Sequence, residues 1–291
     1  MTSRNRILVT GATGNVGRQV VSQLLAAGVV SVRALTRRAV GAGLPGGVEV
    51  RQGDLADRAA LEAALEGVDA VFLMWPFHGA EPAGAVVDAV ARHARRVVLL
   101  SSGAVRDGLA PERQPHPVGR SHADVEQLVE RSGLSWTRLR PSTFAANTLW
   151  WADQIRGGDV VRGAYGAAPM ALLHEADIAA VAVRALTEDG HDRATHTLTG
   201  PEVLTQAEQV RAMGDVLGRP LRWQELSHAA ARARLLADDG FPDAFVDPLL
   251  DGYAELLDAP RPALTDTVEK VTGAPARAFR TWVREHRADF S

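Results

Sequence analysis

Three glycines, Gly11, Gly14 and Gly17, follow the apolar run Ile7-Leu8-Val9. A buried strand that runs into a glycine-rich turn and then a helix sets the helix N-terminus against a pyrophosphate, so the chemistry implied is dinucleotide binding. The roles divide by position. Gly11 permits the sharp exit from the strand. Gly14 lets backbone amides approach a phosphate with no Cβ in the way. Gly17 lets the following helix pack close to the sheet. Val20, Val21, Leu24 and Leu25 continue at helical spacing, and Gly28 closes the segment.

The second chemical clue is a charge. A nucleotide lacking the 2′-phosphate is held by an acidic residue at the end of the second strand. Here Val32–Thr36 ends in Arg37-Arg38, and no Asp or Glu occurs between Gly17 and Glu49. An arginine at that place suits the 2′-phosphate, so NADP(H) is the expected cofactor, ahead of NAD(H). After the third strand comes Gly53-Asp54-Leu55, where Asp54 is placed to accept from the adenine amino group. Asp57 is the better placed of the two aspartates to cap the next helix.

These residues need a scaffold. Short, Val/Leu/Ile-rich runs at 6–10, 31–36, 48–52, 70–74, 96–101 and 135–140 read as buried parallel strands. Helical patterns fall at 17–27, 58–66, 80–94 and 118–131, the last closed by Ser132-Gly133. The alternation predicts an α/β, doubly wound parallel sheet of the Rossmann kind, with ligands at the carboxyl ends of the strands. Residues 1–141 form the expected NAD(P)-binding domain. Residues 142–291 form a smaller, mostly helical substrate-binding part, with 170–199 returning to the sheet. Within this part, 142–169 reads as a helix and a Gly-rich loop, 170–174 and 195–199 as strands, and 176–187 as a helix. Thr205 with Glu208 makes a capping box, 220–226 reads as a strand, and breaks are expected at 240–242, 248 and 260–262.

Bulk properties narrow the classes. The 291 residues contain no cysteine, which excludes disulfides and thiolate chemistry, and no His/Asp/Glu spacing suggests a metal. The net charge of −3 gives no electrostatic case for nucleic acid. No apolar run approaches about 18 residues, so no membrane partner is expected. The first strand begins too early for a signal peptide, which makes the expected location cytoplasmic. The expected partner is a small-molecule substrate, and the chain is expected as a monomer or homodimer.

Several ordered motifs carry a resemblance. They are Thr10-Gly11-Ala12-Thr13-Gly14-Asn15-Val16-Gly17, Gly53-Asp54-Leu55, Ser101-Ser102-Gly103, Ser132–Thr137, Leu139–Phe144, Asp177-Ile178-Ala179 and the ending Val271-Thr272-Gly273 with Phe279 and Trp282. Together they resemble the NmrA-like, atypical branch of the short-chain dehydrogenase/reductase superfamily. The resemblance implies that Thr13, Gly14, Asn15 and Val16 cradle the pyrophosphate, with Leu55 beside Asp54. It implies Met74, Trp75 and Pro76 on the ribose and nicotinamide side, Ser101 at the end of strand five, and Pro141 and Phe144 near the nicotinamide amide.

The departure from the superfamily is chemical. Tyrosine-dependent members use Tyr-x-x-x-Lys, the tyrosine being the acid. Neither Tyr165 nor Tyr253 has a lysine four residues on, and the one lysine is Lys270. A hydride acceptor that is already electrophilic and conjugated needs orientation more than a proton donor. Trp75, Phe77, His78, Trp150 and Trp151 are candidates to hold such a flat substrate. Trp150 and Trp151, adjacent on a helix, are expected to split between core and cleft. His122 is the candidate proton donor, with Glu126 at i+4 favouring its imidazolium. The expected function is therefore an NADPH-dependent reductase of a quinone-, dye- or enone-like compound. Two alternatives remain open: a non-catalytic NADP(H)-reading regulator, and a non-redox tailoring enzyme of secondary metabolism.

Overall fold

The computed structural model describes residues 5–28, 30–77, 79–238 and 241–291. In chain order β1 (Arg6–Thr10) leads into α1 (Asn15–Ala27), then β2 (Ser31–Thr36), β3 (Glu49–Gln52), α2 (Arg58–Leu65), β4 (Ala70–Met74), α3 (Ala83–His93) and β5 (Arg96–Leu100). Next come α4 (Pro117–Arg131), β6 (Ser135–Pro141), a 3-10 turn (Ala145–Trp151), α5 (Ala152–Gly157), β7 (Val160–Gly163) and β8 (Pro169–Ala171). The chain continues with α6 (Glu175–Thr187), β9 (Ala194–Leu198), β10 (Val203–Thr205), α7 (Gln206–Leu217), β11 (Arg222–Glu225), α8 (His228–Leu236), α9 (Asp243–Asp258), α10 (Thr267–Thr272) and α11 (Phe279–Glu285). Among the described residues no helix is long and apolar enough to cross a membrane.

Two compact units result. The first comprises Met1–Pro141, Glu175–Leu198 and Thr267–Ala274. Its sheet has seven strands in the order β3-β2-β1-β4-β5-β6-β9, all parallel. The apolar runs explain this arrangement, because a strand buried on both faces needs no polar alternation. On one face Leu8, Val71, Leu73, Val97 and Leu99 pack with Leu61, Val87, Val90 and Val125 from α2, α3 and α4. The opposite residues Ile7, Val9, Phe72 and Val98 are equally buried, on the side where α1 and α6 meet each other and the sheet. Asp57 caps α2 by accepting from the amides of Ala59 and Ala60.

The second unit comprises Ser142–His174, Thr199–Asp266 and Pro275–Ser291. Its core gathers Ile155, Val161, Met170, Val210, Met213 and the aromatic rings of Phe279 and Trp282, which stack at 5.8 Å. Thr205 and Glu208 form both halves of the capping box of α7.

Three local differences from the sequence reading have physical reasons. Residues 142–169 hold a tight 3-10 turn, a short α5 and the strand β7, because β7 finds a parallel partner in β11, far along the chain. Pro169–Ala171 pairs antiparallel with Val203–Thr205 in the second unit; of the stretch 170–199, β9 is the part that adds to the large sheet. Pro248 lies inside α9 and does not end it. It sits near the helix start, where the loss of one backbone bond is tolerated by the packing of Val246 and Leu250.

Candidate functional site

The strand order reverses between β1 and β4, and open α/β sheets bind ligands at the carboxyl end of such a switch point. The glycines lie there. Gly11 takes φ +60° as the chain leaves β1, a conformation that strains any residue with a Cβ. A Cβ on Gly17 would lie 2.1 Å from the Gly11 carbonyl oxygen, so α1 starts in direct backbone contact with the turn. Gly14 differs from both. It is exposed, its φ of −80° and ψ of 172° suit any residue, and a Cβ there would meet the Gly11 oxygen at 3.3 Å.

Gly14 is also the N-cap of α1, with no side chain capping the helix and no acidic residue in its first turn. The leading amides of a helix have no intrahelical acceptor and carry the positive end of its dipole. Asn15 and Thr13 flank this opening, while the Val16 side chain is buried beneath it. Arg18, which the sequence reading passed over, donates from Nε to the Thr13 carbonyl at 2.8 Å and from Nη1 to that of Gly43 at 3.1 Å. The signal was only that a cation directly follows Gly17. The arrangement fits a pyrophosphate: a bare helix start, a glycine whose missing Cβ faces outward, and cationic surroundings.

The neighbouring strand ends supply the rest. The pairing of Thr10 with Leu35 carries Arg37 just beyond β2, alongside the glycine turn. Arg37 and Arg38 are both exposed, and neither forms an ion pair with a described residue. Asp54 accepts from the Ala56 amide at 2.9 Å through Oδ1, and the Leu55 side chain is buried in the core. Met74 lies over Gly11, its Cε 2.4 Å from where a glycine Cβ would be, and its amide donates to the Thr10 hydroxyl at 2.8 Å. Pro76 is exposed beyond it.

The expected contacts of Trp75, Ser101 and His122 need correction. The Trp75 ring is 5% exposed, donates to the Gly79 carbonyl at 2.9 Å and takes the half-buried Phe77 edge-on at 4.9 Å. It is a packing residue and offers no open stacking face. Ser101 is buried, and its hydroxyl donates to Glu126 Oε1 at 2.5 Å. Glu126 is itself buried and receives Arg140 through Nε at 2.8 Å and Nη2 at 2.6 Å. Its carboxylate is thus committed to a strand-to-helix clamp. His122 gains little from it: burial holds the imidazole below its ordinary value of 6.5, against a smaller upward pull from Glu126. Its Nδ1 is shielded and has no partner. Burial therefore works against the imidazolium that the i+4 spacing with Glu126 was expected to favour.

A depressed histidine makes stability pH-dependent with a definite sign. Below its ordinary value the unfolded chain takes up a proton that the folded chain resists, so stability falls as the pH drops below about 6.5. His122→Gln should therefore lose less melting temperature than wild type between about pH 7.5 and 5.5. Parallel melting curves would refute the assignment.

His78 lies outside the described residues. Pro141 ends β6, its carbonyl accepting from the Gly103 amide at 2.9 Å. Phe144, Trp150 and Trp151 belong to the second unit. There Phe144 is bridged to Leu173, and both tryptophans line one cavity. Of the two, Trp151 also packs against the core of this unit, whereas Trp150 meets Phe241 and Phe245.

A family model described as NAD(P)H-binding matches residues 11–189. The chain is 44% identical to a (4-alkanoyl-5-oxo-2,5-dihydrofuran-3-yl)methyl phosphate reductase of Streptomyces griseus, over 98% of this chain and 99% of that protein. It is 34% identical to an NAD(P)H azoreductase of Xenophilus azovorans, again over 98% and 99%. Its fold matches the Escherichia coli NADPH-dependent quinone oxidoreductase solved with NADPH, with a TM-score of 0.79, 27% identity and coverage of 96% and 99%. With a switch-point glycine turn, an all-parallel sheet and these relatives, the chain belongs to the NAD(P)H-binding, NmrA-like family of atypical short-chain dehydrogenase/reductase oxidoreductases.

Proposed function

We propose that the protein is an NADPH-dependent reductase of a small conjugated acceptor, quinone-, dye- or enone-like, working without a tyrosine acid. The observation that carries this reading is the uncapped start of α1 behind Gly14, with two unpaired arginines at the neighbouring strand end. The Thr13–Val16 turn holds the pyrophosphate, Arg37 the 2′-phosphate, and Asp54 the adenine edge through its second carboxylate oxygen. Met74 and Pro76 border the nicotinamide side through side chain and backbone, with Pro141 at the next strand end. The second unit, from residue 142, takes the acceptor.

When bound, the cofactor supplies a hydride. The acceptor must then stabilise the electron pair it receives, and this decides which substrates suit the chain. A simple ketone gives an alkoxide and needs a strong proton donor in place. A doubly activated alkene, a quinone or a cationic dye spreads the pair over its own conjugated system and can be protonated by solvent. The furanone named for the 44%-identical relative is of this kind, its ring C=C conjugated to both the lactone and alkanoyl carbonyls.

The test is NADPH oxidation over a panel of quinones, dyes and 2-alkanoyl butenolides, together with titrations of both nicotinamide cofactors. Turnover on conjugated acceptors and none on simple ketones is the expected result. Tight NADPH binding with no turnover on any conjugated acceptor would overturn it in favour of a regulator. Arg37→Ala should weaken NADPH by about 10-fold or more, the worth of a charge-assisted hydrogen bond, while NADH changes less than about twofold. Equal losses would remove Arg37 from 2′-phosphate recognition.

A further inference from the structure

The second unit contains a cavity of about 100 Å³ that the cofactor reading does not use. Trp150 and Trp151 form one wall, and Leu235, Phe241, Leu250 and Tyr253 form the others. The aromatic walls are fixed. Trp150 meets Phe241 edge-on at 5.0 Å, and Trp151 meets Trp223 at 5.7 Å. Trp223 in turn lies on bare backbone: a Cβ on Gly163 would fall 2.4 Å from its ring, and one on Gly166 2.3 Å from its Nε1. Glycines at both places let the indole lie flat on the chain as a rigid wall of the space.

Polar side chains share the lining with these rings: Gln154 and Gln206, two arginines and two aspartates. The Tyr253 hydroxyl has no hydrogen-bond partner among the described residues, although burial pushes its pKa well above that of an ordinary phenol. Trp150 Nε1 likewise has none. Both side chains are half-buried at the cavity, so each leaves a donor open to a ligand that brings an acceptor. The charges in the lining, Arg162 and Arg234 against Asp153 and Asp238, balance, so the space selects no net charge. An apolar cavity of about 150 Å³ holds a benzene. This one, about two-thirds that size, suits an aliphatic chain of roughly three or four carbons.

We infer that this cavity binds the aliphatic chain of an alkanoyl-bearing acceptor, with the Tyr253 hydroxyl donating to the alkanoyl oxygen. That the chain's bearer is a hydride acceptor rests on the function proposed above; occupation of the cavity by an aliphatic chain does not.

The test separates the two. Saturated α-alkanoyl-γ-butyrolactones, which lack the reducible C=C, are titrated from acetyl to octanoyl against tryptophan fluorescence. Three of the six tryptophans, Trp150, Trp151 and Trp223, line the cavity and report on it. Affinity should rise about fourfold per methylene until the cavity is full and then level off. Ala231→Leu, at a buried position in the lining, should move the break to shorter chains, and Leu235→Ala should move it to longer ones. Tyr253→Phe should weaken every lactone by about fivefold without moving the break or altering NADPH affinity. Affinity independent of chain length, or a break that stays put in whichever lining variant folds, would overturn the inference. A moving break without reduction of the unsaturated lactones would sustain it while the reductase reading failed.

Discussion

A Gly14→Ala variant is expected to fold like wild type and to bind NADPH at least about 30-fold more weakly, the loss of one or two hydrogen bonds to a charged group. The backbone at Gly14 is in the extended region, and the one close neighbour of an added Cβ is the Gly11 oxygen at 3.3 Å. Alanine in place of glycine at an N-cap costs no more than about 1 kcal/mol. Nothing in the fold therefore requires glycine here with the same force as at Gly17. There an added Cβ would fall 2.1 Å from a backbone oxygen and 2.7 Å from the carbonyl carbon, which no rotamer relieves. Gly17→Ala should lose about 3 kcal/mol or more of stability and its cofactor together. Urea unfolding and NADPH titration of both variants give the answer. An alanine at 14 that leaves NADPH affinity intact would show that the turn does not cradle a phosphate.

Glu126→Ala is expected to cost about 3–5 kcal/mol of folding stability, the range for removing one partner of a buried ion pair. The Arg140 side chain is 8% exposed and Glu126 4%, with paired hydrogen bonds between them and the Ser101 hydroxyl on the same carboxylate. Truncating Glu126 strands a buried guanidinium and a buried hydroxyl at once. The double variant Glu126→Leu with Arg140→Met should recover most of the loss, because a buried pair and a well-packed apolar pair are close in net stability. Asp107 reaches the same guanidinium at 2.6 Å, but its own side chain is 90% exposed. Asp107→Ala should therefore cost less than about 1 kcal/mol. Denaturant midpoints for the three variants settle the ranking. A Glu126→Ala midpoint equal to that of Asp107→Ala would mean that the clamp does not hold α4 to the sheet.

The parallel sheet, its helices and the glycine turn were legible in the chain because their causes are local. Ile7-Leu8-Val9 is a strand buried on both faces whatever lies beside it, and φ +60° at Gly11 follows from the residue type that permits it. Thr205 and Glu208 announced their helix from three residues apart, and capping needs no tertiary partner. The family was legible for the same reason, since its motifs are short and ordered.

What the sequence alone left undecided were the encounters between distant segments. His122 and Glu126 do lie one turn apart on α4, but the charge on Glu126 is claimed by Arg140 of the adjoining strand, and burial outweighs the remaining attraction. Trp75 looked like an open aromatic until Gly79 and Phe77 closed around it. Residues 267–274 fall in the first unit because α10 packs on α6 and β9, a contact that no periodicity encodes. Helix and strand periods and turn chemistry are properties of neighbouring residues, so the sequence determines them. Which buried charge meets which partner, and which rings enclose a cavity, depend on desolvation and packing, and those exist only once the chain has brought its distant parts together.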